Sequence, residues 1–294
     1  MPQKESLIRR ACVVLVPLWV PLMIGCASKR DITKGPEEDL DLQYRLAEDD
    51  VLKYRTSSSF VRTVTVRGRP LELTASETRD FSVKSEGRPG GNLSLLLTIE
   101  SMDIRITGPQ GEIASDVGGV TGRSFEMTIS TLGEELDISG ADTIEYDVGP
   151  QGKRSIESQF SPFFPDLPGT PVGVKDSWRT ESTVTEKGMS TDLTVAIKSD
   201  NTLVGFETVH GFKCAKMTAP FTGTLKGKGE EQGVELITDA AVTGMSTWYF
   251  AYQEGVYVKE VSTGTAEGTI TAMAPEKMDI PLKRDFKIEV TLLE

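Results

Sequence analysis

Apolar and polar residues alternate with a period of two through most of the chain, and this limits the fold more than any other feature. Leu40, Leu42, Tyr44 and Leu46 are apolar, with Asp41, Gln43 and Arg45 between them. Successive side chains of a strand point to opposite faces, so such alternation predicts a half-buried strand. Glu48-Asp49-Asp50 then reads as a turn and Val51 to Phe60 as the returning strand. The pattern recurs at Leu93-Leu95-Leu97-Ile99, Phe125-Met127-Ile129, Ile144-Tyr146-Val148, Trp178 to Val184, Leu193-Val195-Ile197 and Phe286-Ile288-Val290-Leu292. Between Ile99 and Met102 the phase slips, which predicts a β-bulge, because one extra residue swaps the faces. Turn signals separate the runs: Gly-Pro-Gln-Gly occurs at 108–111 and again at 149–152, and Glu254-Gly255 sits between two strand-like stretches. The fold class this predicts is mainly β, a large curled antiparallel sheet or half-barrel.

One segment breaks the alternation. Ser155 to Leu167 places Ile156, Phe160, Phe163 and Phe164 at helical spacing before Pro165 and Pro168. It predicts a short helical crossover within 151–170, joining sheet halves at 39–150 and 171–294. Two readings of Phe160, Phe163 and Phe164 stay open. They line the mouth of a ligand cavity, or they plug the core.

The N-terminus has a different texture. Residues 1–10 carry Lys4, Arg9 and Arg10 against Glu5, and Ala11 to Gly25 is an uncharged apolar run of 15 residues. That is below the roughly 20 residues a spanning helix needs, and Pro17 and Pro21 interrupt it. A basic start, a short apolar stretch and a small residue before a cut describe an export signal. Met23-Ile24-Gly25-Cys26 resembles the lipobox of bacterial lipoproteins, with Met23 where leucine is usual. The resemblance implies cleavage between Gly25 and Cys26, with acyl chains attached to Cys26 as the new N-terminus. Residues 1–25 are then signal peptide, 26–38 a tether containing Gly35-Pro36, and 39–294 a β domain. Ala27 and Ser28 follow the cysteine, so nothing there resembles the aspartate associated with inner-membrane retention. The expected location is the cell envelope, lipid-anchored, on the periplasmic side of an outer membrane. Several acyl chains make such an anchor stable, whereas a single chain binds only marginally.

Charge and cysteines narrow the function. The full chain of 294 residues carries a net charge of −12. The signal takes a net +2 with it, leaving 269 residues at −14. Such a surface repels phosphate backbones, so no nucleic-acid partner is expected. Cys12 leaves with the signal and Cys26 is acylated, so Cys214 remains as a free thiol, read as buried and structural. A domain of this size buries enough core without disulfides.

Catalytic patterns do not assemble. His210 is the single histidine and lies in Thr208-Val209-His210-Gly211, which reads as a hairpin tip. The run 226–233 is rich in glycine and charge but lacks the ending of a phosphate-binding loop, and reads as a mobile charged loop. No metal site, cofactor or enzyme activity is expected. A paired-carboxylate hydrolase is the least supported reading.

Two stretches, F-x-x-F-F-P-D-L-P-x-x-P-V-x-V-x-D-S-W from Phe160 to Trp178 and L-V-G-F-E-x-V-H-G-F-K-C-A-K-M from Leu203 to Met217, resemble uncharacterised bacterial lipoproteins of about this length. That resemblance implies structural roles, with Gly211 in a hairpin turn and Asp176 opening the strand of Trp178. By architecture the chain is also similar to lipoprotein carriers of the LolA, LolB and LppX type, which implies an acyl chain held in a half-barrel. The expected partners are thus a membrane through the anchor and either a hydrophobic ligand or an envelope protein. The functional alternatives are a lipid carrier or sensor and a non-catalytic structural or interaction module.

Overall fold

A computed structural model describes residues 35–36, 38–66, 68–149, 152–187, 191–231, 233–273 and 277–293. The expected signal peptide, the expected Gly25–Cys26 cleavage and lipidation site and most of the expected tether lie outside the described residues. In chain order the elements are β1 (Val51–Val66), β2 (Arg69–Gly87), β3 (Leu93–Gly108), β4 (Gly111–Ile113), β5 (Ser124–Ile129), β6 (Glu135–Ser139), β7 (Glu145–Asp147), β8 (Lys153–Ser155) and α1 (Glu157–Phe160). They are followed by β9 (Ser177–Lys187), β10 (Thr191–Val209), β11 (Phe212–Glu231), β12 (Val234–Ala251), β13 (Val256–Ala272) and β14 (Met278–Leu292).

Twelve strands form one antiparallel sheet in the order β6-β5-β3-β2-β1-β14-β13-β12-β11-β10-β9, with β4 paired to β3. The chain winds outward from β1 on one side and returns to it from the other, because β1 pairs with both β2 and β14. The sheet is strongly curled but not closed, and its edges are β6 and β9. β7 and β8 form a separate small hairpin.

Strand length explains the curl. β1, β2, β3 and β10 to β14 are each 15–20 residues long, or roughly 50–65 Å at the usual rise. Strands that long accumulate twist and do not pack as a flat layer. Register shifts add to it, and of five among the described strands three concern the bend: Asp80/Phe81 between β2 and β3, Leu203/Gly205 between β10 and β11, and Tyr249/Phe250 between β12 and β13. The pairings Arg79–Thr56, Thr56–Val290, Val290–Glu260, Glu260–Trp248 and Trp248–Met217 place all three at one level across the sheet. Bulges increase local twist, so their alignment marks a line along which the sheet bends. The first of them is the phase slip between Ile99 and Met102.

Below that line lies the main core. Tyr54, Phe81, Leu95, Leu97, Met217 and Phe250 are fully buried on the inner face. Residues 40–48 and the crossover cover them with Leu42, Tyr44, Ile156 and Phe160. The stretch 40–46, expected as a strand paired to 51–60, is extended but forms only one bridge, Leu40 to Val172. Its amides bond loops instead: Tyr44 N–H to Thr131 O at 2.8 Å and Arg45 N–H to Gly255 O at 2.9 Å. Alternation reports burial on one side, whereas a ladder needs a partner in register, which this segment lacks as it crosses the end of the sheet.

The crossover is less helical than its spacing predicts. Only Glu157–Phe160 is helix, yet all the expected rings point inward. The run 226–233 is not a loop: residues up to Glu231 belong to β11 and pair with β12. Gly227 sits where a Cβ would meet the Leu193 side chain at 2.6 Å, so glycine there permits close packing on the concave face. The hairpin tip at His210-Gly211 forms as expected, both residues having positive φ (50° and 87°). Both quoted motifs take structural places. The Asp176 carboxylate accepts Gly173 N–H at 2.8 Å, and Trp178 Nε1 donates to Asp166 O at 3.1 Å. Cys214 is buried, and burial pushes its thiol up to about 12.

Candidate functional site

The register sorts the side chains by face. Outward from β14 point Lys283, Asp285, Lys287 and Glu289, opposite Thr265 and Thr263 of β13. Inward point Leu292, Val290, Ile288, Phe286, Arg284 and Leu282. A membrane-spanning barrel needs an apolar outer band; the outer face of β14 is charged, while Val61 and Met245, which share that face through their pairings, are exposed hydrophobics. No helix among the described residues is long and apolar enough to cross a membrane.

Moving along the inner face away from the core, two rows follow in register. Ser58, Ile288, Ser262, Ser246 and Ala219 make a polar step, in which Ile288 is 40% exposed. Just below it, the Glu260 carboxylate accepts hydroxyls from Ser246 at 2.9 Å, Ser262 at 2.5 Å and Tyr257 at 2.5 Å. Next come Phe60, Phe286, Gly264, Gly244 and Phe221. The rings of Phe286 and Phe221 fold over the two glycines, stacked with centres 6.3 Å apart. A Cβ on Gly244 would meet the Phe221 ring at 2.2 Å, and one on Gly264 the Phe286 ring at 2.5 Å, which is why both positions are glycine.

Beyond these rings lies a second, far apolar group of Phe221, Leu225, Ala240, Val242, Ala266 and Leu282. Its partly buried neighbours, including Val64, Val195 and Ile270, also come from the sheet, and among the described residues no crossover residue joins it.

Charges sit inside this apolar surface. Arg62 and Arg284 are direct cross-strand partners on β1 and β14. Like charges placed opposite each other on a sheet repel. The Arg284 guanidinium lies 4.0 Å from the centre of the Phe60 ring, and its Nε is buried with no hydrogen-bond partner. Burial pulls Arg284 down to about 10, with Glu186 opposing that shift and Arg62 and Arg154 adding to it. Arg154 of β8 pairs with Glu186 of β9 at 2.6 Å. A second network lies nearer the core: Arg79, 4% exposed, donates to Glu77 and to Gln159 of α1, and Gln159 donates to the Tyr146 hydroxyl. Arg79 stacks on Phe160 at 4.9 Å. The Tyr146 phenol is pushed above its ordinary value by burial first, then by Glu77 and Glu186.

These side chains come from β1, β2, β7, β8, α1, β9 and β14, so the curl gathers them although the sequence scatters them. The readable signal was phase. In Phe60-x-Arg62-x-Val64 and Leu282-x-Arg284-x-Phe286 an arginine occupies an apolar-phase position, and sequence reasoning passed over both.

Phe160, Phe163 and Phe164 are 1%, 7% and 7% exposed. Phe160 and Phe163 pack edge-on against Phe81 at 4.9 and 5.0 Å, and Phe164 against Tyr44 at 5.5 Å. The structure places them as core. One surface cleft, of about 460 Å³, is lined by Arg45, Glu48 and Arg88, and another, of about 450 Å³, opens on the outward face beside Thr243, Met245, Thr263, Thr265 and Asp285. Neither touches the three rings. Among the described residues no group of three or more His, Cys, Asp or Glu is disposed to hold a metal.

No protein-family model matches the chain, and no curated protein matches it. Among solved structures it is similar to an outer membrane channel, COG4313, from Pseudomonas putida F1, at 8% identity and a TM-score of 0.24, over 89% of this chain and 100% of that one. A DUF1329 family protein from Desulfovibrio piger is 15% identical with a TM-score of 0.17, over 79% and 83% of the two chains. Likenesses this low fix neither fold nor activity.

Proposed function

We propose that this chain is a lipid-anchored envelope protein, non-catalytic, that holds an amphiphilic ligand on the far inner face of its curled sheet. The observation that carries the reading is the far apolar group among the described sheet residues, whose centre is buried and whose rim, including Val64, Val195, Ile197, Ile270 and Phe286, is only partly buried. Covering that rim with an acyl chain contributes roughly 0.8 kcal/mol per CH2. The anchor implied by Cys26 sets the domain beside a source of acyl chains. The alternative, an interaction module, draws on the crossover rings, which pack against one another.

The test is mass spectrometry of lipid extracted from the purified full-length protein. The reading expects about one acyl-bearing molecule per chain beyond the acyl groups on Cys26. An extract without one contradicts ligand binding. Labelled palmitate retained on Cys26→Ser protein contradicts the anchor.

A further inference from the structure

We propose that the cleft lined by Arg45, Leu46, Ala47, Glu48, Gly87 and Arg88, at the end of the sheet that residues 40–48 cross, binds the zwitterionic phosphoethanolamine head of a membrane lipid. The inference rests on the anchor reading above and is separate from the ligand assigned to the far inner face. The cleft encloses about 460 Å³, and backbone bonds fix its walls. Asp49 N–H donates to Ser85 O and Ser85 N–H to Asp50 O, both at 2.9 Å, while the Asp50 carboxylate accepts Ala47 N–H at 2.7 Å. Opposite, Gly91 N–H donates to Arg88 O at 3.3 Å and closes a turn. Walls tied in this way need little ordering when a ligand arrives. Arg45 and Arg88 are exposed, and neither forms an ion pair among the described residues. Arg45 Nη2 donates to Asp41 O at 3.5 Å and Arg88 Nη2 to Tyr44 O at 3.3 Å. Each bond is long and uses one nitrogen, so most of each planar fork stays available to phosphate oxygens. The Glu48 carboxyl carbon lies 4.0 Å from where a Cβ on Gly87 would stand, and it offers an acceptor to an ammonium group.

The surroundings set the charge of the head. Glu38, Asp39, Asp41 and Asp50 are exposed at this end, and Asp49 pairs with Lys84 at 2.8 Å. Carboxylates so placed repel a head of net negative charge, which favours a zwitterion. Position supplies the lipid. Leu40 bridges to Val172, and Gly35 lies against the Phe206 ring, close to the hairpin tip at His210-Gly211. The chain thus enters the domain at the end that carries the cleft. The nine residues from Cys26 to Gly35 span at most roughly 32 Å. The long strands run roughly 50–65 Å, so an anchored chain standing on its tether turns the cleft, and not the far end, to the bilayer. Val51, next in the chain to Asp50, is 49% exposed at this end. Leu293, whose N–H donates to Lys53 O at 2.7 Å, is 44% exposed. Both give a lipid apolar contact that a free phosphoester would leave unused.

The experiment is native mass spectrometry of the full chain in micelles, offered equal amounts of dioleoyl phosphatidylethanolamine, phosphatidylcholine and phosphatidylglycerol. Phosphatidylethanolamine adducts should exceed each of the others about tenfold, the scale of one charge-assisted contact. Phosphatidylcholine carries the same phosphate, but its ammonium has no N–H to give Glu48. Arg45→Met combined with Arg88→Met should abolish the preference. Glu48→Gln should bring phosphatidylcholine level and raise phosphatidylglycerol, a gain that loss of fold would not produce. Soluble phosphoethanolamine should compete with the lipid, and inorganic phosphate should not. Equal adducts of the three lipids, or a preference kept by the double arginine variant, would overturn the cleft assignment. Phosphatidylglycerol in excess, or inorganic phosphate competing as strongly as phosphoethanolamine, would contradict the zwitterionic head. The intact mass also reports the acyl groups on Cys26. An unacylated chain that keeps the preference sinks the anchor and leaves the cleft, and an acylated chain without preference does the reverse.

Discussion

Phe163 has ring neighbours on five sides, Tyr54, Phe81, Phe160, Phe164 and Tyr257, at centroid distances of 4.8–6.3 Å. Truncating it leaves a cavity that these rings cannot all collapse into. Phe163→Ala should therefore cost about 3–5 kcal/mol in urea unfolding, and a loss below about 1 kcal/mol would point to a ring that is not core. Buried hydroxyls set a second residue-scale expectation. Burial holds the phenols of Tyr44, Tyr54, Tyr146 and Tyr257 above their ordinary value, and the Cys214 thiol up to about 12. In the unfolded chain these groups ionise near about 10 for tyrosine and 8.5 for cysteine. The unfolded state therefore loses protons first, and stability, complete below about pH 8, falls as pH rises beyond that. Melting temperatures measured from pH 7 to 10.5 should decline at the alkaline end, and a flat profile would contradict the buried hydroxyls. At this scale the sequence was legible wherever phase and chemistry agreed, as at Leu95, Leu97 and Cys214. It was illegible at Arg62, Arg79 and Arg284, where a charged residue takes an inward position that only the curl provides with neighbours.

The β7–β8 hairpin and α1 tie an inner strand of the sheet to one of its edges. Gln159 and Tyr146 tie them to Glu77 and Arg79 on β2, and Arg154 ties β8 to Glu186 on β9. The insert thereby braces the edge strand β9 against β2. Arg154→Met should raise amide exchange in β7, β8 and β9 while the central strands β11 to β13 stay protected. Unchanged exchange in the hairpin would show that the clamp adds nothing. Elements were readable from sequence to unequal degrees. Long alternating strands such as β10 and β14, and the hairpins at Glu254-Gly255 and His210-Gly211, follow from local pattern and turn chemistry. The segment 40–46 carries the same alternation yet finds loops as partners, and 226–231 was hidden by glycines whose purpose is close approach across the sheet.

At the scale of the whole molecule, β1 joins the two ends of a meander, and three bulges in one line bend the sheet over its inner face. The core end is filled by the crossover, while among the described residues the far end is lined by the sheet. Alternation gives every strand one apolar face, so a curled sheet could be read from the sequence. How far the insert would reach along that face could not, because it depends on tertiary packing of Phe160 and Gln159. The account's central claim is that the far inner face, and not the crossover, holds the ligand. The most direct measurement is to crosslink a photoactivatable fatty acid to the full chain in isolated membranes and map the modified peptides by mass spectrometry. Adducts on Val64, Val242, Ala266 or Leu282, lost when unlabelled oleate is added, are the predicted result. Adducts confined to Phe160, Phe163 and Phe164, or to outward residues such as Lys283 and Lys287, would contradict it.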